Sequence, residues 1–121
     1  MSEISKTLKL NNGLEIPLMG LGTTRLRNIN DANKSLKDDN RNKDVEEVVY
    51  NSIKHGTRLI DTASKYDNEV ELGRGIKKAI DEGIVKREDL FIITKMWPNE
   101  KEDPEKALKN SLSQNSFKSF W

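Results

Sequence analysis

The sequence predicts an α/β fold in which parallel βα units follow a short N-terminal hairpin. Three observations support this prediction: strand-like runs alternate with amphipathic helical segments, the later runs are nearly continuous in apolar residues, and turn residues separate the elements. Continuous apolar runs are typical of parallel strands, because helices cover the faces of a parallel sheet. We therefore expect a hairpin and then about three βα units.

The first elements are a hairpin and a short strand. Segments 8–10 and 14–16 alternate apolar and polar residues on either side of an Asn-Asn-Gly turn at 11–13, a pattern typical of a β-hairpin. Pro17–Gly22 is an apolar stretch that predicts a short buried strand. Residues 25–43 are polar and rich in Asn, Asp and Lys, so we expect an insertion or long loop there.

Capping residues and apolar periodicity predict three helices. Asp44 is expected as the N-cap of the first helix, which Gly56 ends. The second helix should begin near Asn68 and end at Gly83, and Asp103–Glu105 should begin the third. The predicted apolar stripes are Val45, Val48, Val49 and Ile53, then Leu72, Ile76, Ala79 and Ile80, then Ala107, Leu108 and Leu112.

Charged side chains stand at the ends of the two clearest strands. Arg58–Asp61 ends on Asp61, and Lys95 follows Leu90–Thr94. Adjacent parallel strands lie about 4.8 Å apart and end at the same edge, so these charges could pair. Tyr66 should overhang that edge, and a phenol beside an ammonium is a competent general acid for a carbonyl oxygen. The alternative is a salt bridge beside a loop aromatic, with no chemical role.

The composition excludes several kinds of site and partner. The 121 residues carry 21 basic and 20 acidic side chains, so no excess of charge favours nucleic acid. There is no cysteine and His55 is the only histidine, which excludes thiolate and histidine-rich metal sites. No apolar run has the length of a membrane span, and residues 1–9 lack a signal-peptide core. We expect a cytoplasmic protein that binds no metal, nucleic acid or membrane.

Three ordered motifs resemble those of the aldo-keto reductase family. The motifs are Leu14–Thr23, then Arg58–Ala63 followed by Tyr66, Asn68, Glu69 and Gly73, then Phe91–Pro98. The spacings of 5 residues from Asp61 to Tyr66 and of 29 from Tyr66 to Lys95 also match. The resemblance covers about 7–112, apart from the polar segment. It implies that residues 1–121 are one truncated NADP-dependent oxidoreductase domain, folded as a partial (β/α)₈ TIM barrel.

The resemblance also implies a reaction and the residues that perform it. Aldehydes or ketones would be reduced to alcohols by hydride transfer from NADPH. Tyr66 would be the proton donor, Lys95 would activate it, and Asp61 would pair with Lys95. Trp97 would line the pocket for a small carbonyl substrate. The expected cofactor contacts are Gly22, Thr23, Thr24 and Asp61.

Some of these positions have a simpler structural interpretation. Trp97 is equally consistent with an aromatic that only covers the end of the barrel. Thr24 stands where many family members carry a tryptophan, which puts the shape of the pocket there in question. Asn68 and Glu71 are interpreted as helix caps rather than ligands. His55 falls in the last turn of the first helix, where it would interact with the helix dipole and not with the site.

The chain is short for a complete barrel. A (β/α)₈ barrel needs about 250 residues, but only 26 follow Lys95. We therefore expect the chain to stop before the fourth strand, which carries a catalytic histidine in this family, and to turn over no NADPH by itself. An alternative function follows: a catalytically inactive truncated paralogue, or an interaction-only fragment that associates through open strand edges. A complete small binding module is less consistent with the unpatterned tail after Leu112.

Overall fold

The computed structural model describes residues 6–24 and 43–114, which form a hairpin, a parallel sheet and three helices. The elements in chain order are β1 (Thr7–Lys9), β2 (Glu15–Pro17), β3 (Gly20–Gly22), α1 (Lys43–Lys54), β4 (Leu59–Asp61), α2 (Glu69–Asp81), β5 (Phe91–Ile93) and α3 (Pro104–Gln114). β1 and β2 pair antiparallel, whereas β3, β4 and β5 form a parallel sheet in that order. The predicted hairpin and βα units are confirmed. The predicted insertion at 25–43 lies outside the described residues, apart from Lys43, which begins α1.

The register of the parallel sheet determines which side chains enter the core. Leu21 pairs with Ile60, and Ile60 pairs with Ile92, so the middle residues of the three strands share one face. Ile60 and Ile92 are buried in one cluster with the apolar faces of α1 and α2. At the carboxyl end of the sheet, Asp61 stands opposite Ile93. This arrangement places the residues that follow β4 and β5 side by side.

The predicted apolar stripes of α1 and α2 form most of the core. Val48 is the exception, since its side chain is exposed and the stripe of α1 is narrower than predicted. Ile80 is only partly buried against the core. The fully packed members are Val45, Val49 and Ile53 on α1 and Leu72, Ile76 and Ala79 on α2.

The helix C-termini follow the sequence prediction. Gly56 and Gly83 have φ of 112° and 73°, in the region that only glycine enters without strain. The amide after each glycine returns to a carbonyl five residues back, as in the Schellman motif: Thr57 N donates to Ser52 O at 3.0 Å and Ile84 N to Ala79 O at 3.0 Å.

The helix N-termini were harder to predict from local sequence. Asp103 caps α3 as expected, because its Oδ1 accepts the Lys106 amide at 3.0 Å. Asp44 does not precede α1, as an N-cap must, but lies inside its first turn because the helix already begins at Lys43. The N-cap prediction for Asp44 is therefore wrong.

The prediction of one buried strand over 17–22 is also wrong in detail. Pro17 ends β2 and β3 begins only at Gly20. Between them, Leu18 and Met19 are 56% and 68% exposed. They connect the hairpin to the sheet, and so their apolar side chains stay outside the described core. None of the described helices is long and apolar enough to cross a membrane.

α1 and α2 are in close contact at Gly75. A Cβ there would lie 2.6 Å from the Glu46 carbonyl oxygen and 3.2 Å from the side chain of Val49. Gly75→Ala should therefore destabilise the fold by roughly 1–3 kcal/mol, although alanine is otherwise the better helix former. Urea unfolding measures the change, with the exposed Arg74→Ala as a control that should have little effect. A Gly75→Ala chain more stable than the parent would contradict this packing.

Candidate active site

An ion pair joins the carboxyl ends of β4 and β5. Lys95 Nζ donates to Asp61 Oδ1, and also to the Thr62 carbonyl oxygen at 2.9 Å. Both side chains of the pair are 47% exposed, so they lie at the surface of the described residues. Partial burial lowers the pKa of Lys95, but the hydrogen bond and charge of Asp61, with a smaller contribution from Tyr66, outweigh it and raise the pKa above its usual value. The predicted salt bridge is present, and Lys95 is a cation at neutral pH.

Tyr66 lies next to this cation. The centroid of its ring is 5.3 Å from Lys95 Nζ. Tyr66 ends a 3₁₀ turn, Ser64–Tyr66, and the following Asp67 has a φ of 52°, a left-handed conformation that is uncommon outside glycine. The turn brings the ring back over the end of the sheet. Asp61, Tyr66 and Lys95 therefore cluster at one sheet end, as the order of strands predicts.

Thr23 connects the end of β3 to β4 and to α2. Its amide and its hydroxyl both donate to the Asp61 carbonyl oxygen, at 3.1 and 2.8 Å. Its own carbonyl oxygen accepts Asn68 Nδ2 at 2.8 Å. Thr23 is fully buried, so a direct contact between its side chain and a cofactor stays a prediction that this geometry does not favour.

Asn68 stands at the predicted cap position, but its side chain does not cap the helix. Asn68 occupies the N-cap position of α2, but its side chain makes no capping hydrogen bond and instead holds Thr23. Its Oδ1 is buried without a hydrogen-bond partner among the described residues. Glu71 lies in the first turn of α2, where a carboxylate interacts favourably with the helix dipole.

Gly22 and Thr24 border an open surface beside Asp61. Gly22 pairs with Asp61 in the sheet register, yet a Cβ at Gly22 would meet no atom of the described residues within 4 Å. Thr24 is exposed. Among the described residues this part of the sheet end therefore has room for a flat ligand group next to the ion pair.

Trp97 lies on the connection that follows β5, at the same end of the sheet as the ion pair. Its side chain is 38% exposed, and Lys65 Nζ lies 4.0 Å from the centroid of its ring, within the range of a cation–π interaction. Lys65 directly precedes Tyr66, so the indole stands beside the turn that carries the candidate acid. The position suits a pocket wall, and the role of Trp97 in substrate binding stays a prediction.

Glu69 is a buried carboxylate behind the site whose burial and contacts we did not predict from the sequence. It is 1% exposed and accepts hydrogen bonds from Thr94 Oγ1 at 2.9 Å and from Ser111 Oγ at 2.8 Å. Thr94 immediately precedes Lys95, so Glu69 links the start of α2 to the end of β5 and to α3. The available sequence signal is a glutamate in a helical first turn, which does not reveal hydroxyl donors this far away along the chain.

His55 lies at the opposite end of the sheet. It follows α1 and precedes β4, and its exposed ring is 2.6 Å from the Asn51 carbonyl oxygen through Nδ1. The expected separation of His55 from the cluster is therefore present. Across residues 6–24 and 43–114, no three His, Asp or Glu side chains gather in a way that could hold a metal ion.

Known proteins with similar sequences belong to a family that has this architecture. The model of the aldo/keto reductase family matches residues 18–119. The chain is 50% identical over 93 residues to an NAD(P)H-dependent D-xylose reductase of Pyricularia oryzae, covering 77% of this chain and 24% of that protein. It is 69% identical over 55 residues to 4-dihydromethyl-trisporate dehydrogenase of Mucor mucedo, covering 46% of this chain and 17% of that protein.

A solved structure extends the similarity to three dimensions. The aldo-keto reductase of Bombyx mori in complex with NADP superposes with a TM-score of 0.78 at 35% identity, covering 93% of this chain and 35% of that one. The chain thus spans only about a sixth to a third of the length of these relatives. Its sheet and helices correspond to part of a (β/α)₈ barrel, which confirms the predicted fold class. The family model, the shared motifs and the structural match together show that the chain belongs to the aldo-keto reductase family.

Proposed function

We propose that the protein reduces aldehydes or ketones to alcohols with NADP(H), and that Tyr66 is its general acid. The observation that carries this proposal is the Asp61–Lys95 ion pair beside the Tyr66 ring at the carboxyl end of a parallel sheet, where such folds place their chemistry. The names of the relatives, which include an NAD(P)H-dependent D-xylose reductase, and the NADP bound in the structural match support the cofactor and a small carbonyl substrate. The proposal concerns the whole barrel, of which these residues form a part.

The residues of this chain account for the proton that the reaction needs. NADPH, when bound, would supply the hydride and would leave as NADP⁺. Lys95, held by Asp61 and the Thr62 carbonyl oxygen, keeps a positive charge next to Tyr66. That charge favours the phenolate that remains when the Tyr66 hydroxyl gives its proton to the carbonyl oxygen. Asp61 orients Lys95 and balances its charge.

The open surface beside Asp61 fits the cofactor. Gly22, Thr24 and Asp61 would border its nicotinamide end, because no described residue fills the space above Gly22 and Thr24 and Asp61 are exposed beside it. Thr23 would act from behind, by holding the main chain of Asp61 in place.

The proposal is tested with a chimera. This chain, up to the end of α3, replaces the matching part of the Pyricularia oryzae relative, whose other strands complete the barrel. We expect NADPH oxidation that depends on an added aldehyde. A folded chimera without such activity, beside an active parent reductase, would contradict the proposal.

Gly22→Ala should separate cofactor binding from stability in that chimera. Among the described residues the added methyl meets no atom within 4 Å, so the free energy of unfolding should change by less than about 0.5 kcal/mol. It would occupy the space assigned to the cofactor, and the KM for NADPH should rise roughly tenfold, equivalent to about 1.4 kcal/mol. Gly20→Ala is the matched variant: its Cβ would lie 2.7 Å from the Leu59 side chain, so stability should fall instead. An unchanged KM in Gly22→Ala would contradict the assignment.

A second candidate function is that of an interaction fragment without catalysis. Two observations favour it: Leu18 and Met19 are exposed, and within the described residues β3 and β5 each pair with a strand on one side only. Unpaired strand edges are templates for association. Sedimentation of the 121-residue chain should then show oligomers that Leu18→Lys dissociates, whereas a monomer at all concentrations would contradict this candidate.

A further inference from the structure

We propose that Glu100 is a positioning residue that fixes the turn carrying Tyr66 against the turn carrying Trp97. For catalysis the inference rests on the proposed function, since the placement matters to the reaction only if Tyr66 is the acid and Trp97 borders the substrate. The contacts themselves do not depend on that function.

One oxygen of Glu100 joins the two connections that overhang the site. Glu100 Oε2 accepts the Trp97 amide at 2.5 Å and the Ser64 hydroxyl at 2.7 Å. Trp97 lies on the connection from β5 to α3, directly before the 3₁₀ turn Pro98–Glu100. Ser64 lies on the connection from β4 to α2 and begins the 3₁₀ turn that ends at Tyr66. The carboxylate therefore holds the two turns at a fixed distance.

Three further contacts connect the same two segments, and in one of them the Ser64 hydroxyl lies 3.3 Å from the Lys95 carbonyl oxygen, a second acceptor. The Ser64 amide donates to the Lys95 carbonyl oxygen at 3.1 Å, which ties the first residue of the Tyr66 turn to the main chain of Lys95. Lys65 Nζ stacks over the Trp97 ring at 4.0 Å. Since Ser64 and Lys65 are the two residues before Tyr66, any shift of the Glu100 junction would move the phenol relative to Lys95.

The charge of Glu100 strengthens this junction. The hydrogen bond from the Trp97 amide, and then that from the Ser64 hydroxyl, lower the pKa of Glu100, against a small opposing effect of burial. The side chain is thus a carboxylate at neutral pH. Hydrogen bonds to an ionised acceptor are roughly twice as strong as those to a neutral one. Glu100→Gln keeps the size of the side chain and removes the charge, so it weakens the junction without creating a cavity.

Amide hydrogen exchange of the 121-residue chain, resolved by NMR, tests the proposal directly. Glu100→Gln should speed exchange of the Trp97 amide and of the Tyr66 amide by about tenfold, because both turns open when the shared acceptor weakens. Ser64→Ala removes one of the two donors to Glu100, together with the contact of the Ser64 hydroxyl with the Lys95 carbonyl oxygen, and should speed exchange at both amides as well. Glu102→Gln, an exposed neighbour on the same connection, is the matched control and should change neither.

The amides of Ile60 and Ile92, in the buried sheet, report whether the whole fold is affected. Faster exchange at Trp97 and Tyr66 with an unchanged core supports the proposal. Faster exchange at Trp97 alone would overturn it, since Glu100 would then only cap its own turn. Equal acceleration in the core would also overturn it, because the role of Glu100 would be general stability. These outcomes are independent of the proposed function, which is contradicted instead by a folded chimera that is inactive.

Discussion

Tyr66→Phe should lower the kcat of the completed barrel by roughly 10²–10⁴-fold, the usual contribution of a general acid, and should change KM much less. The substitution removes only the hydroxyl, so the ring keeps its place 5.3 Å from Lys95 Nζ. Without that hydroxyl, no proton is delivered to the carbonyl oxygen as negative charge develops on it. Steady-state kinetics of the chimera measure the split between kcat and KM.

Tyr50→Phe is the matched control for this result. The Tyr50 hydroxyl donates to Glu82 Oε2, and Lys78 Nζ lies 4.1 Å from the centroid of its ring. It is thus also a tyrosine beside a lysine and a carboxylate, but on the outer helical layer. Loss of the Tyr50 hydroxyl should leave the kcat of the chimera within a factor of about two of the parent value, as for a surface substitution away from the site. A kcat for Tyr66→Phe within a few-fold of the parent would mean that another group is the acid.

Glu69→Ala should destabilise the fold by roughly 2–4 kcal/mol, because it removes a buried carboxylate that accepts hydrogen bonds from two buried or part-buried hydroxyls. Those hydroxyls belong to Thr94 and Ser111, on the strand end that leads to Lys95 and on α3. The loss should loosen the docking of α3 first. Urea unfolding followed by circular dichroism measures the change in the free energy of unfolding.

Two further variants separate the buried contacts of Glu69 from a general effect of charge. Glu47→Ala removes an exposed carboxylate from α1 and should change stability by no more than about 0.5 kcal/mol. Glu69→Gln keeps one acceptor oxygen, so its loss of stability should lie between those of Glu69→Ala and Glu47→Ala. If Glu69→Ala cost no more than Glu47→Ala, the hydrogen bonds to Thr94 and Ser111 would not stabilise the fold.

Local chemistry explains why much of the fold is predictable from the sequence. Gly56 and Gly83 end helices because each must adopt a positive φ, and Asp103 begins α3 because its carboxylate accepts an amide three residues on. The meeting of Asp61 and Lys95 follows from two parallel strands ending at one edge. Each of these features depends on neighbours in sequence or on the direction of a strand.

Three side-chain roles that the sequence did not reveal depend on contacts between residues far apart in the chain. The acceptor of the Asn68 side chain is 45 residues away, the hydroxyl partners of Glu69 are 25 and 42 residues away, and Glu100 reaches Ser64 across 36 residues. Glutamate and asparagine are common on exposed surfaces and in turns, so the residue type alone does not reveal such partners. Through these hydrogen bonds, the three side chains hold in place the segments that carry the site residues identified from the strand pattern.

In the proposed reaction, this sheet end directs hydride to a carbonyl carbon while Tyr66 supplies the proton. Its most direct test is the transfer of label in the chimera, with NADPH deuterated at both C4 positions and an aldehyde substrate. Mass spectrometry should find one deuterium on the carbinol carbon of the alcohol, and Tyr66→Phe should abolish nearly all labelled product. Unlabelled alcohol from the chimera, or labelled alcohol formed at an undiminished rate by Tyr66→Phe, would contradict the account.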